Sequence, residues 1–236
     1  MELRPQVVAS ARANRAFLAR VVRFLAADCG VRQFLDIGTG LPAPTNTHEV
    51  AQAVAPDCKV VYCDNDQLVL VHARALLGST TSQGVCGYVD ADLREPETIL
   101  AQAARTLDFT QPAAVLLLAV LHFLPDAAGP GEIVATLADA LAPGSYVAIS
   151  HLTGDFAPEQ LAAATSAYND LAPLQVTGRS HAQVTALFGG LPLLAPGVVP
   201  VSEWRPEVGD PFGQPADLHA GVARIPRRMA RDGGRA

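Results

Sequence analysis

Positive charge is scarce in this sequence, and lysine is almost absent. The 236 residues include 17 basic and 23 acidic side chains, which gives a formal net charge of −6, and Lys59 is the one lysine. A protein that binds DNA or RNA needs a stripe of basic side chains to neutralise phosphates. The composition therefore argues against a nucleic-acid partner.

Long apolar segments and metal-type cysteine spacings are missing as well. The longest apolar run, 113–121, falls well short of the roughly 18 residues that a membrane-spanning helix needs. The first five residues lack the charged-then-apolar order of a signal peptide. The four cysteines show no Cys-x-x-Cys spacing, so we expect free thiols and no metal site. These absences predict a cytoplasmic protein that does not bind a membrane.

The remaining composition is that of a globular protein. Half of the residues are hydrophobic and 17% are charged, so disorder is not expected over most of the length. A chain of 236 residues is compatible with one large domain. We predict a single domain over residues 1–225, which begins with a helix at 6–27, followed by a basic C-terminal tail at 226–236.

Apolar runs and helical patterns alternate along the chain. The pattern predicts strands at 33–37, 59–63, 87–90, 113–119 and 146–150, with helices between them. Such alternation implies right-handed crossovers and a parallel sheet, which is an α/β fold. Beyond residue 150 the sequence predicts helices at 157–170 and 180–188, a strand within 191–201, and a last strand at 220–225 on the sheet edge.

The segment 34–42 combines an acid with two closely spaced glycines. Asp36 lies near the end of the first predicted strand, and Gly38 and Gly40 follow it. Glycines allow a sharp turn and bring a ligand close to backbone N–H groups. In an open α/β sheet, nucleotides bind at this place, outside the carboxyl end of a strand.

Two more acids follow the next two predicted strands. Asp64 comes 24 residues after Gly40, close to the ~20-residue interval at which an acid meets ribose hydroxyls. Asp92 follows the third strand and precedes apolar Leu93, a pair that suits the exocyclic amine and the ring of an adenine. Because the ends of parallel strands meet at one edge, we expect the three carboxylates to face one crevice.

The acid at position 36 also bears on which nucleotide binds. Residues 38–43 fit the Gly-x-Gly-x-x-Ala fingerprint of NAD(P)-binding proteins. However, Asp36 would repel a diphosphate at the helix N-terminus, whereas it suits a cationic ligand without phosphate, such as S-adenosylmethionine. Pro42 and Pro44 also disrupt the tight turn that dinucleotide binding uses. An NAD(P)-dependent oxidoreductase is kept as the lesser alternative.

The chain resembles class I S-adenosylmethionine-dependent methyltransferases, and more narrowly an actinobacterial family first catalogued as a domain of unknown function. The resemblance runs from about residue 5 to 225. Its segments are ANRAFL (13–18), QFLDIGTGLP (33–42), VVYCDND (60–66), AVLHFLPD (119–126) and LAPGS (141–145). It implies a Rossmann-like, seven-stranded, mostly parallel sheet of order 3-2-1-4-5-7-6, with strand 7 antiparallel and helices on both faces.

The resemblance also implies roles for individual residues. Asp36, Gly38 and Gly40 would line the methionine part of the cofactor, Asp64 the ribose and Asp92 the adenine. The remaining residues that we expect at the cofactor are Thr39, Asn65, Leu93 and Ala119.

Two histidines follow strands at the same edge and are candidates for a general base. His122 comes after the central strand and His151 after strand five. A base is needed if the acceptor is a hydroxyl or a protonated amine. Each histidine could instead be a hydrogen-bonded rim residue.

Other side chains are weaker candidates. Asn14 and Arg15 could reach the methionine carboxylate or belong to a solvated helix face. Aromatic side chains could wall an acceptor pocket or pack in the core, namely Phe123, Tyr168 and Trp204. We expect His48 on the surface.

The predicted function is S-adenosylmethionine-dependent methyl transfer to a small-molecule acceptor. An alternative keeps the cofactor without the transfer, as in a cyclisation catalyst or a sensor of the same fold. Assembly as a homodimer is compatible with the sequence.

Overall fold

Seven strands form one mixed sheet in the computed structural model, which describes residues 5–169, 175–207 and 216–226. The strands are β1 (Gln33–Ile37), β2 (Lys59–Asp64), β3 (Val85–Asp90), β4 (Ala114–Leu118), β5 (Tyr146–Leu152), β6 (Val199–Pro200) and β7 (Leu218–Arg224). Their order is β3-β2-β1-β4-β5-β7-β6. The first five strands pair in parallel, and β7 is antiparallel to both β5 and β6. The predicted α/β class and sheet order are therefore confirmed.

Seven α-helices are present in the described residues, one before the first strand and six between strands. They are α1 (Pro5–Ala27), α2 (Thr47–Val54), α3 (Gln67–Leu76), α4 (Pro96–Ala103), α5 (Pro130–Asp139), α6 (Pro158–Asn169) and α7 (His181–Ala186). Local side chains fix several of their starts. The Asp66 carboxylate accepts the Leu68 N–H at the start of α3, and Ser180 and Gln183 form a capping box at α7.

The sheet separates two apolar clusters. One cluster packs α1, α2 and α3 against the side chains at alternate strand positions such as Phe34 and Leu116. The other packs α4, α5 and α7 against the intervening positions, such as Leu35 and Leu117. Both faces are buried, which explains why the strand sequences are continuous apolar runs rather than alternating ones.

The last strand does not lie where the sequence pattern put it. It begins at Leu218, two residues earlier than predicted, and it lies between β5 and β6. The expectation of an edge position is therefore wrong, because the two residues of β6 cover the outer side of β7. The predicted tail lies outside the described residues from position 227 onward.

In the described ranges, no helix has the length and apolar character needed to cross a membrane.

Candidate cofactor and active site

A buried carboxyl group lies at the carboxyl edge of the sheet, near the end of β1. Asp36 is only 5% exposed, and its Oδ2 accepts a hydrogen bond of 2.6 Å from the Thr47 hydroxyl of α2. Burial raises the pKa of Asp36 to about 6, while the Thr47 hydrogen bond and the charge of Arg15 oppose the rise. A buried carboxylate of this kind favours a cationic ligand beside it.

The turn after β1 is held by its two glycines. Both have positive φ angles, +74° at Gly38 and +64° at Gly40. A side chain at Gly38 would also collide with Val120, since its Cβ would lie 2.3 Å from Val120 Cγ2. The Thr39 hydroxyl closes the turn, because its single proton is shared between the carbonyl oxygens of Asp36 at 3.1 Å and Cys63 at 3.3 Å. The predicted glycine turn is thus a rigid feature pressed against the end of β4.

Asp64 connects this turn to the end of β2. Its Oδ2 accepts the Gly40 N–H at 2.9 Å, and its Oδ1 accepts the Asp66 N–H at 3.0 Å. A carboxylate can accept about four hydrogen bonds, so Asp64 keeps capacity for donors from a ligand.

The third acid is paired within the chain. Asp92 forms a two-point ion pair with Arg94, at 2.9 and 2.6 Å, and accepts Asn65 Nδ2 at 3.0 Å. The hydrogen bonds from Arg94 hold the pKa of Asp92 well below its usual range. Leu93 packs into the cluster on the α4 face and is 8% exposed. Asn65 therefore connects the ends of β2 and β3 through Asp92.

The end of β4 is bent and tied to β5. Ala119 has a φ of +55°, and its N–H contacts both the carbonyl oxygen of Ser150 at 3.0 Å and the Ser150 hydroxyl at 2.9 Å. The same hydroxyl reaches Asn14 Oδ1 on α1 at 2.5 Å. The sequence gives no signal for this role of Ser150, because its two partners lie on other elements, α1 and the end of β4.

His122 follows β4 in a short 3-10 turn at Leu121–Phe123. It is 9% exposed, and its Nδ1 atom is buried without a hydrogen-bond partner among the described residues. Burial, with the neighbouring His151 and Arg179, lowers the pKa of His122 to about 3. The imidazole is therefore neutral at physiological pH.

His151 is held by a buried arginine that the sequence did not point to. Arg179, 3% exposed, donates to His151 Nε2 at 2.8 Å. Because guanidinium only donates, Nε2 is the acceptor, and Nδ1 carries the proton that bonds to the Leu152 carbonyl at 2.8 Å. Burial lowers the pKa of His151 to about 4. Both ring nitrogens are thus engaged.

Arg179 also fixes the loop that carries His122. Its other donors reach the carbonyl oxygens of Leu121 and Leu124 and the carboxylate of Asp126. All five of its N–H groups therefore have partners. The loop after β4, the end of β5 and the segment before α7 are joined through this one side chain.

The two predicted bases lie on a different face of the sheet from Asp36. Asp36 and Ser150 contact α2 and α1. Adjacent side chains of a strand point to opposite faces, so His151 points toward the α7 side. There it stands opposite His219 of β7 and packs 5.8 Å from the His122 ring. His219 in turn packs 5.2 Å from His181 of α7.

These histidines do not constitute a metal site. In the part of the chain that the structure describes, no group of three or more His, Cys, Asp or Glu residues has an arrangement suited to a metal ion.

The structure corrects the expectation for His48 and decides between the two alternatives for Trp204. His48 is 2% exposed and packs against Tyr62, whose hydroxyl contacts His48 Nδ1 at 2.7 Å. Trp204 is fully buried between Phe17 and Phe24 of α1, so it belongs to the core and not to an acceptor pocket.

The other two aromatics remain at the surface or rim. Tyr168 on α6 is 44% exposed, and Phe123 lies half-buried against the His122 ring at 4.5 Å.

A separate depression of about 340 Å³ lies at the opposite, amino edge of the sheet. Its lining includes the cations Arg32 and Lys59 and the acids Asp57 and Asp108. It contains none of the strand-end carboxylates, so it is distinct from the candidate site.

The residues at the carboxyl edge fit S-adenosylmethionine better than a dinucleotide. The decisive observation is the buried Asp36 carboxyl beside the Gly38 turn, because it would stabilise a cation and oppose a diphosphate.

Comparisons with known proteins agree with this geometry. A family model described as S-adenosyl methyltransferase matches residues 1–226. A DUF574 family protein from Streptomyces avermitilis is 40% identical, with a TM-score of 0.89 over 94% of this chain and 86% of that one. A Thermobifida fusca YX protein is 39% identical, with a TM-score of 0.83 over 94% and 84% of the two chains.

A more distant structure shares the fold alone. Human N-acetylserotonin methyltransferase, solved in complex with SAM, is 16% identical, with a TM-score of 0.52 over 88% of this chain and 51% of that one. A search of curated proteins gives no match.

Proposed function

Because the chain belongs to the S-adenosyl methyltransferase family, we propose that the carboxyl edge of its sheet holds S-adenosyl-L-methionine and directs methyl transfer to a small-molecule acceptor. The chain is a methyltransferase that uses this cofactor. Family membership thus favours methyl transfer over the oxidoreductase alternative. We propose which residues form the site and which class of molecule accepts the methyl group.

Three carboxylates are assigned to three parts of the cofactor. Asp36 would stand beside the cationic amino-acid part, with the glycine turn in contact with it. Asp64 would accept from the ribose hydroxyls, for which its oxygens keep free capacity. Asp92 is kept ionised by its pairing with Arg94. Its four acceptor positions are taken by Arg94 and Asn65 in the free protein, so the adenine amine would replace one of these donors.

The bound cofactor supplies an activated methyl group on a sulfonium, so the protein's task is mainly to position the acceptor in line with it. For an acceptor that must lose a proton, we assign the role of base to His122. One nitrogen of its ring has no hydrogen-bond partner within the described residues. His151 is the weaker candidate, because Arg179 and the Leu152 carbonyl occupy its two nitrogens.

Composition supports a small acceptor. A net charge of −6 disfavours nucleic acid, and we infer a cytoplasmic enzyme of actinobacterial type that can form a homodimer.

Isothermal titration calorimetry of the purified protein with S-adenosylhomocysteine, S-adenosylmethionine and NADH tests the cofactor assignment. We expect binding of the first two compounds and none of NADH. Asp64→Ala should weaken S-adenosylhomocysteine binding at least about tenfold, the effect of losing one charge-assisted hydrogen bond.

Asp108→Ala is the matched control. Asp108 also accepts a backbone N–H and a hydroxyl, both from Thr110, but at the opposite edge of the sheet. Its removal should leave the affinity unchanged. Equal affinities of the wild type and Asp64→Ala would mean that the ribose is held elsewhere.

A further inference from the structure

A buried polar connection joins α1 to the ends of β4 and β5. Its members are Asn14, Ser150 and the N–H of Ala119. The Ser150 hydroxyl accepts from Ala119, so its single proton is directed to Asn14 Oδ1, 2.5 Å away. Asn14 on α1 is therefore hydrogen-bonded directly to β5, and through Ser150 it is connected to the end of β4.

The connection continues into the glycine turn. Ala119 has a left-handed backbone conformation, which is strained in a non-glycine residue and persists only where surrounding contacts fix it. The two contacts of its N–H with Ser150 fix it here. The next residue, Val120, packs on Gly38. A continuous series of contacts thus fixes the relative positions of four elements, namely α1, β5, β4 and the turn after β1.

The same helix places a positive charge near Asp36. Arg15 follows Asn14, and its charge opposes the rise that burial causes in the pKa of Asp36. The Asp36 carboxylate and the Arg15 guanidinium are together complementary to an α-amino acid, whose ammonium group suits the acid and whose carboxylate suits the guanidinium.

We propose that Asn14 and Ser150 are positioning residues, whose mutual hydrogen bond fixes α1 so that Arg15 meets the carboxylate of the cofactor's amino-acid part. The proposal rests on the proposed function, because it concerns the same cofactor. It adds that recognition of the amino-acid tail depends on the contact between α1 and β5, while recognition of the adenosine does not.

Two ligands separate these contributions. S-adenosylhomocysteine and 5′-methylthioadenosine both contain adenosine and a neutral sulfur, but only the first has the zwitterionic tail. Calorimetry should show that Ser150→Ala and Asn14→Ala each weaken S-adenosylhomocysteine binding about five- to tenfold, the effect of one hydrogen bond. Binding of 5′-methylthioadenosine should change less than about twofold. The double variant should be no weaker than Ser150→Ala alone, since Ser150→Ala already removes the bond that Asn14→Ala removes.

Ser145→Ala is the matched control for the sheet. Ser145 is fully buried, and its hydroxyl accepts the Ala113 N–H at 3.0 Å at the amino end of the same strand pair. Loss of the Ser145 hydroxyl should leave the affinities for S-adenosylhomocysteine and 5′-methylthioadenosine unchanged. Hydrogen exchange should be faster in α1 for Ser150→Ala and unchanged there for Ser145→Ala. Asn14 is half-buried on a helix, so Asn14→Ala tests the bond even if the buried serine variant fails to fold.

The outcomes distinguish the two levels of the proposal. A wild-type protein that does not bind S-adenosylhomocysteine would overturn the proposed function itself. A wild type that binds it, with variants that lose both ligands equally or neither, would overturn only the positioning role.

Discussion

Asp36 meets two opposing demands. As a carboxyl group buried in the free protein, it is unfavourable when ionised, and burial raises its pKa to about 6. Beside a cationic ligand the same burial strengthens the attraction, because water does not screen it. In the proposed site, Asp36 would thus lower the stability of the free protein and strengthen the binding of a cationic cofactor.

Asp36→Asn should separate the two effects. The rise in pKa from 3.8 to about 6 corresponds to about 3 kcal/mol of lost stability once the group is ionised. The native state binds the proton more tightly than the unfolded chain, so stability is lost as pH rises from about 4 to 6. The variant should therefore unfold at higher denaturant concentration than the wild type at pH 7.5, with little difference near pH 4. Its affinity for S-adenosylmethionine should fall.

Denaturant titrations at the two pH values measure this difference. A gain in stability of equal size at pH 4 and pH 7.5 would show that the ionised carboxylate is not its source.

Single residues were predictable where local spacing decided their place. Asp36, Gly38 and Asp64 were found from the acid and glycine pattern and lie together at one edge. His48 was not, because its burial depends on the Tyr62 hydroxyl contributed by the neighbouring strand. The sequence gives no signal for Arg179, because its four partner residues are distributed over positions 121–151.

At the scale of elements, the turn between β1 and α2 is shaped by its neighbour β4. The Gly38 backbone leaves no room for a side chain, whereas a Cβ at Gly40 would meet no heavy atom within 4 Å. Both positions have positive φ angles. The two glycines therefore differ in packing but not in backbone strain.

Gly38→Ala and Gly40→Ala should have unequal effects. Gly40→Ala should cost about 1 kcal/mol of unfolding free energy from backbone strain alone. Gly38→Ala adds the collision with Val120 and should cost at least about twice as much, and it should also weaken S-adenosylhomocysteine binding more strongly. Denaturant titration and calorimetry measure both quantities. Equal costs for the two variants would contradict the packing argument.

The elements themselves were predictable to different degrees. Continuous apolar runs indicated the five parallel strands, because strands buried on both faces carry such runs. The local pattern predicts the wrong place for β7, because the pairing of β7 with β5 joins residues more than 65 positions apart. The sheet order came from family resemblance, not from periodicity. β6, with only two residues, is too short to give a pattern of its own.

At the scale of the whole molecule, buried neutral histidines link stability to acidity. The pKa values of His122 and His151 are lowered to about 3 and about 4, mainly by burial. The unfolded chain takes up protons at these side chains near pH 6.5, while the native state does not. Stability is therefore present above pH 6.5 and is lost as pH falls toward 4. Asp36 has the opposite effect, because its ionisation lowers stability as pH rises from about 4 to 6. The two histidines together outweigh this single carboxyl group.

The unfolding free energy should be lower at pH 5 than at pH 7.5. His122→Asn should reduce this difference by up to about 2 kcal/mol, because it removes one of the groups that protonate only on unfolding. His72→Asn, at an exposed position of α3, is the control and should leave the difference unchanged. Denaturant titrations across this pH range provide the measurement. If the unfolding free energies at pH 5 and pH 7.5 differed as much in His122→Asn as in the wild type, other groups would be the source of the acid sensitivity.

The place of β7 also has a consequence for synthesis on the ribosome. The seven residues of β5 pair on one side with a strand that emerges only after about 65 further residues. Until then, β5 exposes a row of unsatisfied backbone groups that can pair with another nascent chain. A translation product that stops before residue 218 would keep this edge permanently, and we expect it to be found in aggregates or bound to chaperones rather than as a smaller working enzyme.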